Sequence, residues 1–402
     1  MQTQYQLTID ADYKERVVDY AQRLIRFESV TPDDAGCQQW IAEKLSALGA
    51  TIEQYDCHGV SNLIAVIERG NGPDFAFCGH TDVVPAGNLE RWQAPPFTGS
   101  IKDQQLIGRG IADMKGGIAA ALVAVEELVA QDEFEGRLWF FITSDEEGEA
   151  DHGSLDIVQR LKQRQQTMDY CLIGEPTAVK QSGDMIKVGR RGALSFDIKI
   201  NGKSGHVAYP AQGVNAIHQM CRIVNELSQC TWDSGDGDFP GTTLQVTHMD
   251  SGQWTDNIIP SSASVSLNIR YTTRYTEDDL YQRVESIVQQ TTQDYELKAY
   301  RHCAPYHSDV PDAGQVSLIE ACEKVIHEKL GLFPRISTTG GTSDGRFFKD
   351  ICAQVIELGL PNATIHQENE RVAVNELKSL AEIYLALYTK VMVASQPSGE
   401  SL

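Results

Sequence analysis

A histidine and an aspartate that lie two positions apart follow a short apolar run of the chain. The run covers residues 75–78, Gly79 interrupts it, and His80 and Asp82 come next. In an extended segment residues two apart point to the same side, so both side chains would project together from the end of a strand. This arrangement suits a metal ligand and its hydrogen-bonding neighbour, although a core histidine satisfied by a nearby acid has the same pattern.

Further segments place acids or a histidine directly after apolar runs. GRGIADMKGG contains Asp113, FFITSDEEG contains Glu146 and Glu147, LIGEP contains Glu175, and NATIHQENE contains His366. Taken singly, each has an ordinary alternative: a helix N-cap for Asp113, a solvated acidic turn for the glutamate pair, an exposed side chain for Glu175 and a core position for His366. Taken together, they gather imidazoles and carboxylates at strand ends, where α/β folds build their sites.

Carboxylates converge in such numbers when cations neutralise them, which favours a metal centre. Histidine and carboxylate ligands suit zinc and similar divalent ions, and the scattered cysteines are not placed to take part. Three carboxylates and one hydroxide would balance two dications, with Asp113 bridging and each ion holding one histidine and one glutamate of its own. Glu146 would remain beside Glu147, and a spare carboxylate next to a metal-bound water is what a general base requires.

The composition indicates a globular protein that binds neither nucleic acid nor membrane. The chain has 402 residues, 41% of them hydrophobic, and a formal net charge of -22, which repels phosphate backbones. No apolar stretch has the length of a membrane span, and the first residues lack the features of a signal peptide. The 9 cysteines form no CxxC pair, which favours reduced thiols. We therefore expect a soluble cytoplasmic protein.

The helices and strands that must position these residues fall into two regions with different hydrophobic periodicity. Up to residue 189, helices alternate with apolar runs of strand length, which predicts an α/β domain with a mostly parallel sheet. From 190 to 304, strands with one polar face accompany two helices, which predicts an antiparallel sheet covered by helices. We therefore predict a catalytic domain over 1–189 and 305–402, an inserted domain over 190–304, and disorder over 395–402.

Several phrases resemble the co-catalytic zinc amidohydrolases, a family that includes carboxypeptidases, aminoacylases and acetylornithine deacetylase. They are GHTDVVP, GRGIADMKGG, TSDEEG, GEP and GGTSDGRF, and the likeness extends from about Val17 to Tyr388. Further phrases are similar to members of the family that remove succinate from N-succinyl-LL-diaminopimelate: KVGRRGAL, SGHVAYP, DNIIP, SLNIRY and NATIHQENE. The resemblance implies a zinc-peptidase-like catalytic domain, an inserted α+β lid and dimerisation domain, and a homodimer. A related deacylase, such as one acting on acetylornithine, is the alternative.

The resemblance implies roles at individual positions. Two zinc ions per subunit, replaceable by cobalt or manganese, would be held by His80, Asp113 and Glu175 and by Asp113, Glu147 and His366. Asp82 would fix the tautomer of His80, and Glu146 would move the proton from water to the leaving amine. His206 would come from the second subunit to stabilise the tetrahedral oxyanion. A cis peptide bond is implied after Asp113.

The implied small-molecule substrate carries three carboxylates and one ammonium, so an acidic protein needs local cationic groups to bind it. The positions to which the resemblance assigns substrate binding are Arg190, Arg270, Asn257, Thr342, Ser343 and Asn362. Arg346 is a further candidate. Ala211 departs from the family pattern, which has a histidine after HVAYP.

A binding module that has lost its metals is the competing class of function, and the intact ligand positions argue against it. The remaining histidines stand outside any motif and receive no function: His58, His152, His218, His248, His302, His307 and His327.

Overall fold

The computed structural model describes residues 12–131, 134–252, 255–311 and 315–393. The tail for which disorder is predicted lies outside these described residues. The helices of the described part are α1 Tyr13–Ile25, α2 Cys37–Ala47, α3 Gly116–Gln131, α4 Ser154–Gln163, α5 Ala216–Gln229, α6 Glu277–Gln289, α7 Leu318–Leu330, α8 Gly345–Phe348 and α9 Val374–Met392.

The strands lie between these helices, singly or in groups. They are β1 Thr51–Cys57, β2 Val60–Arg69, β3 Asp74–His80, β4 Ser100–Lys102, β5 Gln105–Ile107, β6 Gly136–Thr143, β7 Met168–Ile173, β8 Met185–Lys187, β9 Gly189–Arg190, β10 Gly192–Asn201, β11 Gly205–His206, β12 Thr243–Asp250, β13 Ile258–Ile259, β14 Ser262–Tyr271, β15 Tyr295–Cys303, β16 Tyr306–His307, β17 Arg335–Ser337, β18 Cys352–Glu357 and β19 Arg371–Ala373.

The chain divides into two compact units. The first comprises the chain up to Gly189, His307–Ser337 and the chain from Ser343 onward, and the second comprises Arg190–Tyr306 and Thr338–Thr342. The second unit therefore runs slightly beyond residue 304 and also includes a short segment from later in the chain.

The first unit contains an eight-stranded sheet in the order β1-β2-β6-β3-β7-β18-β8-β17. Its centre is parallel, since β3 runs parallel to both β6 and β7, and β18 runs parallel to β7. The strands β1 and β2 add an antiparallel edge. The predicted α/β class with a mostly parallel catalytic sheet is confirmed. Apolar residues fill β3 because helices cover both faces of such a sheet.

Helix α3 is buried on nearly every face, in agreement with its run of alanine, leucine and valine. It packs against α1 and α9 within the main apolar core. A Cβ at Gly117 would lie only 2.6 Å from the carbonyl oxygen of Gly174, just after β7. Glycine at this position therefore lets the start of α3 touch the carboxyl end of the sheet.

The second unit is built on an antiparallel sheet in the order β12-β14-β10-β15. Strand β14 alternates between buried and partly exposed residues, as its sequence predicts. Helices α5 and α6 contribute their apolar faces to the core of this unit. Strands β11 and β13 form a separate antiparallel pair. Across the described residues, no helix is both long enough and apolar enough to span a bilayer.

Candidate metal centre

The parallel strands of the central sheet bring their following segments to one edge. His80 ends β3 and pairs in register with Thr143, the last residue of β6. Cys78 of β3 pairs with Ile173, the last residue of β7. The segments that follow β6 and β7 therefore leave the sheet beside His80, as carboxyl ends of parallel strands do in α/β folds.

One group of possible metal donors surrounds His80. Its Nε2 lies 3.2 Å from Oδ1 of Asp113 and 3.6 Å from Oε1 of Glu175. His80 is buried, and only about a tenth of either carboxylate side chain is exposed. Donor atoms from these three residues all lie within 4.8 Å of one another, which makes the group a candidate cation site.

A second group shares Asp113 with the first. Nε2 of His366 lies 3.5 Å from Oδ2 of Asp113 and 3.0 Å from Oε1 of Glu147. Each oxygen of Asp113 thus faces a different imidazole, which is the arrangement of a bridging carboxylate. The structure therefore brings all the predicted ligands together in two adjoining groups.

Asp113 lies in the irregular turn Ile111–Lys115, and its peptide bond to Met114 is cis, as the family resemblance implies. The buried side chain of Glu370 holds this turn. Its Oε1 accepts hydrogen bonds from the main-chain N–H groups of Ala112 and Asp113, at 2.9 and 3.2 Å.

Glu370 also neutralises a buried cation behind the turn. Its Oε2 accepts from the N–H of Gly110 at 3.0 Å and from the guanidinium of Arg109 at 2.8 Å. Sequence reasoning missed this residue, although it ends the phrase NATIHQENE that contains His366. No apolar run precedes Glu370, so the hydrophobic periodicity of the sequence does not mark it as a site residue.

Asp82 differs in detail from its predicted contact. The nearest partner of Nδ1 of His80 is the main-chain oxygen of Asp82, at 2.9 Å, whereas the carboxylate oxygen lies at 3.5 Å. That carboxylate accepts hydrogen bonds from the N–H groups of Glu146 and Glu147, at 3.3 and 3.1 Å. The hydrogen bond of Nδ1 directs Nε2 toward the donor group, while the carboxylate also orients the acidic loop.

The carboxylates of the centre carry strongly perturbed pKa values. Burial raises the pKa of Glu146 well above its ordinary value, and the charges of Asp344, Glu147 and Asp113 add to this rise against the effect of His80. Burial likewise raises the pKa of Glu175. Acids crowded in this way in a largely buried site repel one another, so the site favours a cation between them.

The pKa values of His80 and His366 are also raised, which favours the charged form of an imidazole but the neutral form of a carboxylate. Hydrogen bonds to Asp113 and Glu147 raise the pKa of His366 to about 10. Burial lowers the pKa of His80, but its contacts with Asp113 and Asp82 outweigh burial and raise the value. Protons therefore occupy positions that a metal would take. Nitrogen and oxygen donors without a thiolate fit zinc and its divalent neighbours.

In the second unit, His206 and Asn257 lie on exposed backbone next to each other. The N–H of Val207 donates to the main-chain oxygen of Asn257 at 3.1 Å, beside the pairing of β11 with β13. The N–H of Ala208 donates to Nδ1 of His206 at 3.1 Å. Since Nδ1 accepts, the ring proton lies on Nε2, whose N–H group can donate a hydrogen bond to an oxygen.

The second unit also gathers guanidinium groups. Arg190 is buried and donates to the main-chain oxygen of Thr339 at 3.1 Å. Burial and the nearby positive charge of Arg270 both lower the pKa of Arg191, which sequence reasoning did not select. Thr342 belongs to this unit as well. Neighbouring cations of this kind suit an anionic ligand.

Two other predicted substrate residues belong to the first unit. Ser343 is buried, and its hydroxyl accepts from the N–H of Gly345 at 3.2 Å. The N–H of Asn362 donates to the main-chain oxygen of Ala178 at 3.0 Å, so its backbone is anchored close to the start of the His366 loop.

The chain is similar in sequence over nearly its whole length to two bacterial enzymes. It is 49% identical to succinyl-diaminopimelate desuccinylase 2 of Shewanella loihica, covering 92% of this chain and 99% of that protein. It is 48% identical to succinyl-diaminopimelate desuccinylase 1 of Alteromonas mediterranea, covering 92% and 95%.

Solved structures share the fold at lower identity. Aminopeptidase PepT of Bacillus cereus superposes with a TM-score of 0.78 at 22% identity, covering 94% of this chain and 98% of that one. The YXEP protein of Bacillus subtilis, described as a dinuclear metal-binding peptidase, has a TM-score of 0.68 at 16% identity, covering 94% and 99%. The family model for peptidase family M20/M25/M40 matches residues 76–390, and the chain belongs to that family of metallo-hydrolases.

Proposed function

We propose that this protein hydrolyses the amide bond of N-succinyl-LL-diaminopimelate, giving succinate and LL-diaminopimelate. The observation that carries the proposal is near-full-length identity of 49% to a succinyl-diaminopimelate desuccinylase. The two adjoining donor groups support the hydrolytic chemistry, because they supply what a metal-dependent amidohydrolase needs.

The donors would hold two divalent ions, zinc in our proposal, with cobalt or manganese as substitutes. His80, Asp113 and Glu175 would bind one ion, and Asp113, Glu147 and His366 the other. Such ions supply electrophilic activation of the scissile carbonyl and of the attacking water. The protein's part is to fix the donors, which Asp82 and Glu370 do through main-chain hydrogen bonds.

Glu146 would act as general base and then as general acid. It follows β6 directly, its loop is oriented by Asp82, and its pKa is raised by burial. A carboxylate of raised pKa can take a proton from the attacking water and deliver it to the leaving amine nitrogen as the carbon–nitrogen bond breaks.

His206 would stabilise the oxyanion that forms on the carbonyl oxygen, and it would do so from the other subunit of a homodimer. Its exposure and the acceptor role of its Nδ1 support this role, because the Nε2–H group is available to a partner. Asn257 would accompany it from the same exposed backbone.

The carboxylates of the substrate would be bound by Arg190 and Arg270, with hydrogen bonds from Thr342, Ser343 and Asn362. A local cluster of cations is needed because the protein carries a net charge of -22 and repels an anionic substrate at long range. All 9 cysteines are free thiols, which supports a location in a reducing compartment such as the cytoplasm.

A substrate panel tests the proposal. The purified protein, loaded with zinc, should hydrolyse N-succinyl-LL-diaminopimelate, lose activity with a chelator and regain it when zinc is added back. Acetylornithine should be a poor substrate. Efficient hydrolysis of acetylornithine without activity on the succinyl compound would assign the chain to a sister deacylase.

A further inference from the structure

A thiol and two imidazoles meet at a place that the dinuclear centre does not use. Cys57 is the last residue of β1, His58 follows it in the turn to β2, and His152 lies in the segment between β6 and α4. One possible ligand atom from each of these residues lies within 4.8 Å of the other two. The imidazole ring centroids are 4.4 Å apart, and the ring planes are inclined by 30°.

Both backbone segments are held in place. Cys57 pairs with Val60 across the tight turn between β1 and β2. The main-chain oxygen of His152 accepts from the side chain of Asn62 at 2.8 Å, and its N–H donates to Asp145 at 3.2 Å. The three side chains are therefore brought together by ordered main chain, and a chance meeting of mobile side chains does not account for the contact.

We propose that Cys57, His58 and His152 form a third metal site, which binds a thiophilic divalent ion of the zinc class. One thiolate and two imidazoles are preferred zinc ligands, and three protein donors leave one coordination position for water. This donor set contains sulfur, whereas the dinuclear centre offers only nitrogen and oxygen. The proposal is independent of the function proposed above.

The geometry needs only small side-chain movements to receive an ion. Zinc–nitrogen and zinc–sulfur bonds of about 2.0 to 2.3 Å place tetrahedral donors roughly 3.3 to 3.8 Å apart. The side chains of His58 and His152 are not fully buried, so their rings can rotate to close the difference. The thiol faces the carboxylate of Asp156, which is itself paired with Arg160 at 2.7 Å, and the thiol proton would pass to solvent when the ion binds.

An ion at this place would tie the turn after β1 to the segment that also carries Glu146 and Glu147. That segment is also held by the hydrogen bonds of Asn62 with His152 and of Asp82 with Glu146 and Glu147. Binding would therefore add a further link between this segment and the turn after β1, through residues that differ from the dinuclear donors.

Cobalt titration of the full-length protein separates the two kinds of site. Co²⁺ is titrated into the metal-free protein while the thiolate-to-cobalt charge-transfer absorption, which the dinuclear centre cannot give because it has no sulfur donor, is followed in the near ultraviolet. We expect a saturable band whose final intensity corresponds to one thiolate-bound cobalt per chain. Cys57→Ser should abolish it, and His58→Asn or His152→Asn should weaken cobalt binding by at least ~10-fold.

Cys221→Ser is the matched control, because Cys221 is the cysteine of α5 that is exposed to solvent. It should leave the band unchanged, and Cys57→Ser should keep the hydrolytic activity of the zinc-loaded protein. A band that persists in Cys57→Ser, or no band in the wild type, would overturn the proposal.

A second measurement uses the wild-type protein alone. Saturation of the metal-free protein with zinc should slow the alkylation of Cys57 by iodoacetamide at least ~10-fold and leave Cys221 as reactive as before. Equal alkylation of Cys57 with and without zinc would contradict the third site even if every variant failed to fold.

Discussion

Asp113 is the residue on which the two donor groups depend. Its two oxygens face different imidazoles, at 3.2 and 3.5 Å, so neither group is complete without it. The hydrogen bonds from His366 and His80 lower its pKa although burial acts in the opposite direction. Asp113 therefore stays ionised while its carboxylate neighbours Glu146 and Glu175 are pushed toward protonation.

Glu146→Gln tests the proton-transfer role at the level of one residue. The amide keeps the size of the side chain but cannot take up a proton, so kcat should fall by about 10²- to 10⁴-fold. Metal analysis should still find two ions per chain. Glu149→Gln, on the exposed part of the same loop, is the control and should retain wild-type turnover. Retained turnover in Glu146→Gln would remove Glu146 from the proposed mechanism.

Metal binding should release protons, because the metal-free histidines are held in the charged form. The pKa of His366 is raised to about 10, so this imidazole carries a proton at neutral pH until an ion displaces it. Apparent affinity should therefore rise with pH, by up to about tenfold per unit for each proton displaced, and level off above the raised pKa.

Calorimetric titration in buffers of different ionisation enthalpy measures that proton release directly. His366→Ala should release about one proton fewer than the wild type at the same pH. An affinity that does not change between about pH 6 and pH 9 would contradict the assignment of His366 as a ligand.

At the scale of elements, the turn before α3 is held by Glu370, a residue that lies much later in the sequence. Glu370 precedes β19 directly, yet it accepts hydrogen bonds from the backbone on both sides of Ile111 and pairs with buried Arg109. The carboxylate proposed to bridge the ions is thus positioned by a residue that belongs to neither donor group.

Glu370→Ala should destabilise the metal-free protein by about 3–5 kcal/mol, because it leaves the buried guanidinium of Arg109 without its counter-ion. Urea denaturation in the presence of a chelator measures this loss apart from any effect on metal binding. Glu368→Ala, which removes a partly exposed acid of the same loop, should change the free energy of unfolding by less than about 0.5 kcal/mol. Equal stability of the two variants would show that Glu370 does not hold the turn.

The sequence groups the proposed ligands because most of them follow a strand or precede a helix and so carry a local signal, whereas His366 lies in the loop between β18 and β19 and is marked only by its motif. His80 follows the apolar run of β3, and Glu175 follows that of β7. The hydrogen bonds that Glu370 and the Asp82 carboxylate make depend on loops that meet only in three dimensions. Periodicity carries no information on such loop contacts, so sequence reasoning missed Glu370 and gave Asp82 only one of its roles.

At the scale of the whole molecule, the proposed substrate residues are distributed over two compact units. Arg190, Arg270 and His206 belong to the second unit, and the metal donors belong to the first. The later segment Thr338–Thr342 also belongs to the second unit, a division that composition and periodicity do not reveal. Predicting it requires the tertiary fold, because the segment adds too few residues to form a pattern of its own.

Mixed dimers test whether His206 acts across a subunit interface. His206→Ala and Glu146→Gln should each be nearly inactive alone. If His206 serves the partner, a mixed dimer of the two variants regains one complete site, and an equal mixture of co-expressed chains should recover up to about a quarter of wild-type activity. If both groups act within one chain, no dimer contains a complete site and the mixture stays inactive.

The donors of the centre come from segments that stretch from His80 to His366. A chain truncated just before His366 would contain the three residues of the first donor group but would lack one donor of the second. We expect such a chain to retain fewer ions, so that bound metal would report whether the His366 loop is present.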